Sequence, residues 1–278
     1  MNEIPLELLV RRLRRLLEAH PTRSFSDAQL LERFVRTRNE AAFAGLMCRH
    51  GELVWHVCRQ VLHQEQDTED AFQATFLVLA LKAASLHREQ GLGNWLYGVA
   101  YRVAMNAKRK ATRRHAHESR KAAASPRTLP DTLALQELQS VLHEEINRLP
   151  EKYRVTLVLC GLEGKSKSEA ARELGWKEGT VSGRLARARQ MLAGRLARRG
   201  VLLSAAWAAT TVGTESVAAV IPTTLVKTTA EAARQLAAGQ ALTTGIVSNP
   251  VATLVEEALK SMSATKLKLS RFRSGCGI

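Results

Sequence analysis

The chain has 278 residues, and its 41 Lys and Arg against 26 Asp and Glu give a formal charge of +15. With 45% hydrophobic residues and only 7 prolines, the composition excludes wholesale disorder and allows two domains. The positive charge favours a polyanionic partner. The 4 cysteines are too scattered for a disulfide framework, and the opening residues lack the pattern of a signal peptide. Both features favour a cytoplasmic protein.

Helical periodicity dominates the first 200 residues and predicts an all-α protein with two helical domains joined by a flexible linker. Residues 1–22 are predicted to form an amphipathic helix, and residues 23–118 a first helical domain. Prolines and lost periodicity mark a linker at 119–131, which precedes a second domain at 132–200. The predicted helices of the two domains lie at about 28–37, 40–49, 51–63, 68–87, 94–118, 133–148, 151–160, 167–174 and 178–198.

The second domain has the pattern of a helix-turn-helix, the winged-helix-like type of DNA-binding domain. Ser166 and Glu169 have the spacing of a capping box, and Gly175 suits the left-handed end of a helix. The next helix, within a strongly basic stretch, is predicted to bury one face formed by Val181, Leu185, Ala188, Leu192 and Leu196. Its other face would enter the major groove, and the predicted DNA contacts are Lys177, Thr180, Ser182, Arg184, Arg187 and Arg189.

The first domain carries two further motifs. The segment 67–77 begins acidic and then places Phe72 and Phe76 in an apolar stripe. Asp70, Gln73 and Leu77 share an adjoining face that suits a protein partner, although an ordinary half-buried helix has a similar pattern. The segment 94–110 combines aromatic and basic residues, which suit unstacked bases and their phosphates. Its predicted polar contacts are Asn94, Arg102, Asn106 and Arg109.

Three blocks in this order, DTEDAFQATFLVLALKA, NWLYGVAYRVAMNAKRK and LPEKYRVTLVLCGLEGKSKSEAARELGWKEGTVSGRLARARQML, resemble the small two-domain extracytoplasmic-function sigma factors of bacterial RNA polymerase. The resemblance covers about residues 25–200. It implies a non-enzymatic transcription initiation factor that binds core RNA polymerase and directs it to specific promoters. It also implies that the acidic helix docks on the coiled coil of the polymerase clamp, with contacts from Asp67, Asp70, Gln73, Phe76 and Leu77.

The same resemblance implies how promoter DNA is read. The loop from His87 to Asn94 would capture a flipped base of the minus-ten element. The following helix would handle the melted strand, with contacts from Asn94, Tyr97, Arg102, Asn106 and Arg109. The helix-turn-helix would read the minus-thirty-five element. The family also admits an anti-sigma protein as a partner, and it implies no cofactor and no small-molecule substrate.

Two other function classes fit part of the sequence. A conventional helix-turn-helix regulator would bind duplex DNA unaided and would need no clamp-docking domain. A nucleic-acid enzyme such as a recombinase would need a catalytic serine or tyrosine constellation, which is not evident. A zinc site is not expected, because side chains two apart on a helix project in different directions; the ligands considered were Cys48, His50, His56 and Cys58.

Residues 201–278 form an extension that is rich in Ala, Thr and Val. Short helices are predicted at about 225–238 and 250–264. Similar extensions on some sigma factors of the group precede a membrane helix, but no apolar span follows here. A soluble regulatory role is therefore favoured over the remnant of a membrane tether.

Overall fold

The computed structural model describes residues 25–86, 91–119, 130–211, 221–240 and 247–274. Across these ranges the secondary structure is helical and no β-strand forms, which confirms the all-α prediction. The predicted N-terminal helix at 1–22 and most of the predicted linker at 119–131 lie outside the described residues. No helix in the described part of the chain is long and apolar enough to cross a membrane.

The first part of the chain folds as a packed group of helices. They are α1 (Asp27–Thr37), α2 (Glu40–Leu62), α3 (Glu65–Lys82), a 3-10 turn (Ala83–Ser85) and α4 (Leu92–Ser119). Ser26 caps α1 in a capping box with Gln29. Helices α2, α3 and α4 contact one another. The Phe76 ring of α3 lies 5.0 Å from the Phe72 ring of the same helix and 6.3 Å from the Phe43 ring of α2.

Helix α2 is continuous, so the predicted break between 40–49 and 51–63 is wrong. Gly51 suggested a turn, but it lies buried inside the helix. A Cβ atom at Gly51 would lie 2.9 Å from Cδ1 of Ile221, which belongs to the extension. The glycine therefore allows a close approach between two segments rather than a turn.

The second part of the chain contains the predicted helix-turn-helix. Its elements are α5 (Pro130–Asn147), α6 (Glu151–Leu157), a π-helical turn (Val158–Leu162), α7 (Lys167–Leu174) and α8 (Glu178–Ala197). The capping box is confirmed, since Ser166 Oγ accepts from the Glu169 amide at 3.2 Å and Glu169 Oε2 accepts from the Ser166 amide at 2.8 Å. Gly175 ends α7 with φ 65°. The predicted apolar face of α8 is also confirmed, and its buried residues are Val181, Leu185, Ala188, Leu192 and Leu196.

The extension forms three described helices that lie against both parts of the chain. They are α9 (Leu203–Thr211), α10 (Thr223–Ala237) and α11 (Asn249–Ser274). Helix α9, which was not predicted, packs on α5 and α8. Helix α10 packs on α2 and α3, and α11 packs on α3 and α4. The extension is therefore part of the fold and not a separate tail.

The first and second parts of the chain also contact each other directly. His143 of α5 is fully buried, and burial lowers its pKa to about 3, so the ring is neutral. Its Nδ1 atom lies 3.0 Å from the Tyr97 hydroxyl of α4, and its Nε2 atom pairs with Gln60 of α2. A buried polar network of this kind holds the parts together because each group loses its partner if they separate.

Candidate protein and nucleic-acid interfaces

The first half of α8 presents the candidate DNA-reading surface. Lys177, Thr180, Arg187 and Arg189 are exposed, and Ser182 and Arg184 are partly exposed. No side chain caps the start of α8, where the backbone amides carry partial positive charge. The basic residues at the other end of the helix have a different role. Arg199 pairs with Glu144 at 2.7 Å and with Glu145 at 2.9 Å.

Trp176 supports this surface, and its role was not predicted from the sequence. The Arg184 guanidinium carbon lies 3.9 Å from the centre of the Trp176 ring, a cation–π arrangement. Trp176 itself packs on the small apolar cluster that includes Val155 and Val181. The aromatic face thus limits where the Arg184 side chain can lie. The sequence feature that could have indicated this role is the presence of a tryptophan in the turn between α7 and α8.

The acidic helix α3 holds the candidate protein-docking residues. Asp67 and Asp70 are partly exposed, whereas Gln73 is 8% exposed, and Phe76 and Leu77 are fully buried. Asp70, Gln73 and Leu77 share one helix face, as predicted. However, the Ser248 hydroxyl donates to Asp70 Oδ1 at 3.2 Å. Burial raises the pKa of Asp70, and this hydrogen bond partly opposes the shift.

The candidate strand-handling helix α4 is only partly accessible. Asn94 is 1% exposed, and its Oδ1 accepts from Arg154 Nε of α6 at 3.0 Å. Tyr97 is fully buried against His143. Arg102 and Asn106 are partly exposed, and Arg109 is exposed. Part of the loop from His87 to Asn94 lies outside the described residues. The buried members of this set would become available only if α4 and the second part of the chain move apart.

A buried ionic cluster adds a further link between the two parts. His50 Nε2 lies 2.7 Å from Asp27 Oδ2, and His50 Nδ1 lies 3.6 Å from Glu163 Oε1, just after the π-helical turn. Burial alone would lower the pKa of His50, but its pairing with Asp27 and Glu163 raises it to about 9. Lys165 also pairs with Glu163 at 2.7 Å. His50 is therefore charged at neutral pH.

The considered zinc ligands do not come together. His50 faces Asp27, while His56 lies 2.7 Å from Gln60. Cys48 is exposed and Cys58 is buried. The described residues contain no group of three or more His, Cys, Asp or Glu side chains that could hold a metal ion.

Comparison with known proteins places both parts of the chain in one family. Residues 46–114 match the family model "Sigma-70 region 2", and residues 139–192 match "Sigma-70, region 4". The chain is 31% identical over 170 residues to ECF RNA polymerase sigma factor SigM of Mycobacterium tuberculosis, covering 60% of this chain and 83% of that protein. It is 24% identical to SigW of Bacillus subtilis over 169 residues, covering 57% and 90%.

A solved structure of CnrH in complex with the cytosolic domain of CnrY is 26% identical, covering 62% of this chain and 97% of that one with a TM-score of 0.31. The family models end before residue 201, so neither match includes the extension. The matched regions are those that hold the acidic helix and the helix-turn-helix. The chain therefore belongs to the extracytoplasmic-function sigma factors, the non-enzymatic initiation factors that bind core RNA polymerase and direct it to specific promoters.

Proposed function

We propose that the chain acts in the cytoplasm through three surfaces on two units. In the region 2-like unit (23–118), α3 docks on the clamp coiled coil and α4 captures and holds the melted minus-ten strand. In the region 4-like unit (132–200), α8 reads the minus-thirty-five element. The exposed basic start of α8, set by the Ser166–Glu169 capping box and the Gly175 turn, is the observation that carries this proposal.

The geometry also indicates what must change during initiation. Asn94 and Tyr97 are hydrogen-bonded to Arg154 and His143 of the region 4-like unit, so they can contact DNA only after that unit moves away. The start of α8 is exposed already. We infer a closed form in which the proposed minus-thirty-five contacts on α8 are accessible, whereas the proposed minus-ten contacts Asn94 and Tyr97 are covered.

The clamp-docking role predicts a strong effect of substitutions on α3. We expect Asp70→Ala/Gln73→Ala to lower core-dependent initiation by about tenfold or more, because central interface residues supply most of the binding energy. The measurement is transcription by purified core polymerase from a library of promoters, with polymerase binding followed in parallel. Glu65→Gln is the matched control, since Glu65 is an exposed acid in the first turn of the same helix.

The same experiment separates the two main function classes. Binding to core polymerase with initiation that the double variant loses supports the sigma-factor roles of α3. Tight binding to duplex DNA with no polymerase association would instead indicate a conventional helix-turn-helix regulator. Equal initiation with and without the double substitution in a Ser248→Ala background, where the contact to Asp70 is already absent, would remove Asp70 and Gln73 from the docking surface.

Trp176 is predicted to matter for minus-thirty-five reading although it need not touch a base. We expect Trp176→Ala to weaken binding of a selected minus-thirty-five duplex by about two- to fivefold, because an exposed cation–π contact contributes about 0.5–1 kcal/mol. Trp176→Phe keeps an aromatic face under Arg184 and should lose much less. Fluorescence anisotropy of the labelled duplex measures both variants. Equal affinity for all three proteins would show that Trp176 does not position Arg184.

A further inference from the structure

The extension covers the face of α3 that is proposed to dock on polymerase. Helices α10 and α11 both pack on α3. In addition, the hydroxyl of Ser248, just before α11, donates a hydrogen bond to Asp70 of α3. Gln73 and Leu77 lie one and two turns further along the same face, and both are buried. A helix cannot pack on the extension and on the polymerase through one face at the same time.

The surface on which the extension packs has glycines at positions where side chains of the extension approach closely. A Cβ at Gly51 would lie 2.9 Å from Ile221, and a Cβ at Gly161 would lie 2.9 Å from the Trp207 ring. Gly51 belongs to α2 and Gly161 to the π-helical turn. The region 2-like unit and the region 4-like unit therefore each have one glycine against which a side chain of the extension packs closely. The packing face of α11 is correspondingly apolar, and its buried residues are Val251, Leu254, Val255 and Ala258.

The extension also engages the other parts that must move. Lys110, in the basic run of α4, pairs with Glu257 of α11 at 2.8 Å. In the region 4-like unit, Gln139 Nε2 donates to the Ala209 carbonyl of α9 at 2.7 Å in a buried contact. One segment thus holds the docking helix, the strand-handling helix and the region 4-like unit together.

We propose that α10 and α11 compete with core polymerase for α3, so that the extension is a built-in inhibitor of this chain. This inference rests on the proposed docking role of α3. Polymerase binds only molecules in which the extension has left α3. The apparent affinity of the chain for polymerase therefore equals the intrinsic affinity multiplied by the fraction of molecules in this state. Any change that weakens the extension's hold without touching the docking residues must raise that affinity.

The decisive variants lie in the extension of the full-length chain. Val255→Asp places a charge on the packing face of α11, where Val255 is 2% exposed. Glu256→Gln is the matched control, since the neighbouring Glu256 side chain is 69% exposed. Ser248→Ala removes the hydroxyl that donates to Asp70 at 3.2 Å and accepts from the Val251 amide at 3.4 Å, so it weakens the contact with α3 and the start of α11 but leaves the apolar packing of α11 in place. The readout is the affinity of each protein for core polymerase, with circular dichroism as the check on folding.

We expect Val255→Asp to bind core polymerase about tenfold more tightly than the wild type, and Ser248→Ala a few-fold more tightly, while Glu256→Gln is unchanged. Equal or weaker binding by folded Val255→Asp would overturn the proposal. If Val255→Asp loses its helical signal, Ser248→Ala decides, and an affinity no greater than that of the wild type would reject the inference. Absence of polymerase binding by every protein, including the wild type, would instead reject the docking role itself.

Discussion

Phe76→Ala is expected to lower the free energy of unfolding by about 3–5 kcal/mol, the usual cost of emptying a buried phenylalanine site. The Phe76 ring is fully buried and lies 5.0 Å from the Phe72 ring. A ring in this position cannot touch a partner unless α3 itself unpacks. Urea denaturation followed by circular dichroism measures the change.

The conservative variant Phe76→Leu separates a core role from a contact role. Leucine keeps most of the buried volume, so we expect a smaller stability loss and nearly normal binding to core polymerase. If Phe76 contacts the clamp, Phe76→Leu will weaken polymerase binding while the unfolding midpoint stays near that of the wild type. That result would return Phe76 to the docking surface.

His50→Gln is expected to lower the free energy of unfolding by about 1–3 kcal/mol, because Asp27 and Glu163 lose the cation that they share, while Asp27 keeps Arg49 and Glu163 keeps Lys165. The effect depends on pH. The pKa of His50 is raised from 6.5 to about 9 in the folded chain, so its contribution is complete below pH 6.5 and is lost as the pH rises through 9. We therefore expect the difference between the two proteins to shrink from neutral to alkaline pH.

Urea denaturation at several values between pH 6 and pH 10 checks this prediction. His63→Asn is the matched control, since His63 ends the same helix with φ 62° and asparagine tolerates that conformation. Burial and the nearby Lys108 lower the pKa of His63, so this variant should follow the pH dependence of the wild type from pH 7 to pH 10. A parallel pH dependence in His50→Gln and the wild type would show that the ionic cluster does not stabilise the closed form.

Local patterns allowed much of the fold to be predicted. The Ser166–Glu169 capping box, the Gly175 turn and the buried face of α8 depend on residues close in sequence, and the structure confirms them. The break at Gly51 was wrong because a glycine signals either a turn or a close contact, and only the distant Ile221 decides between them.

The candidate site was less predictable because residues distant in sequence determine which of its side chains are covered. Periodicity placed Asp70, Gln73 and Leu77 on one face of α3, but it could not show that Ser248 and α11 cover that face. Likewise, the polar character of Asn94 indicated an exposed contact, whereas Arg154 from the region 4-like unit satisfies it in the closed form. The roles of these residues in binding polymerase and DNA remain predictions.

Gly51 and Gly161 have a consequence for how this sequence can vary. In a chain without the extension, an alanine at either position would meet no Ile221 or Trp207, and inside helix α2 it would even favour the helix by about 0.5–1 kcal/mol. With the extension present, the same alanine pushes against it. Substitution at these positions is thus constrained by residues far away in sequence, and compensating changes should arise as pairs, with Gly51 linked to Ile221 and Gly161 to Trp207.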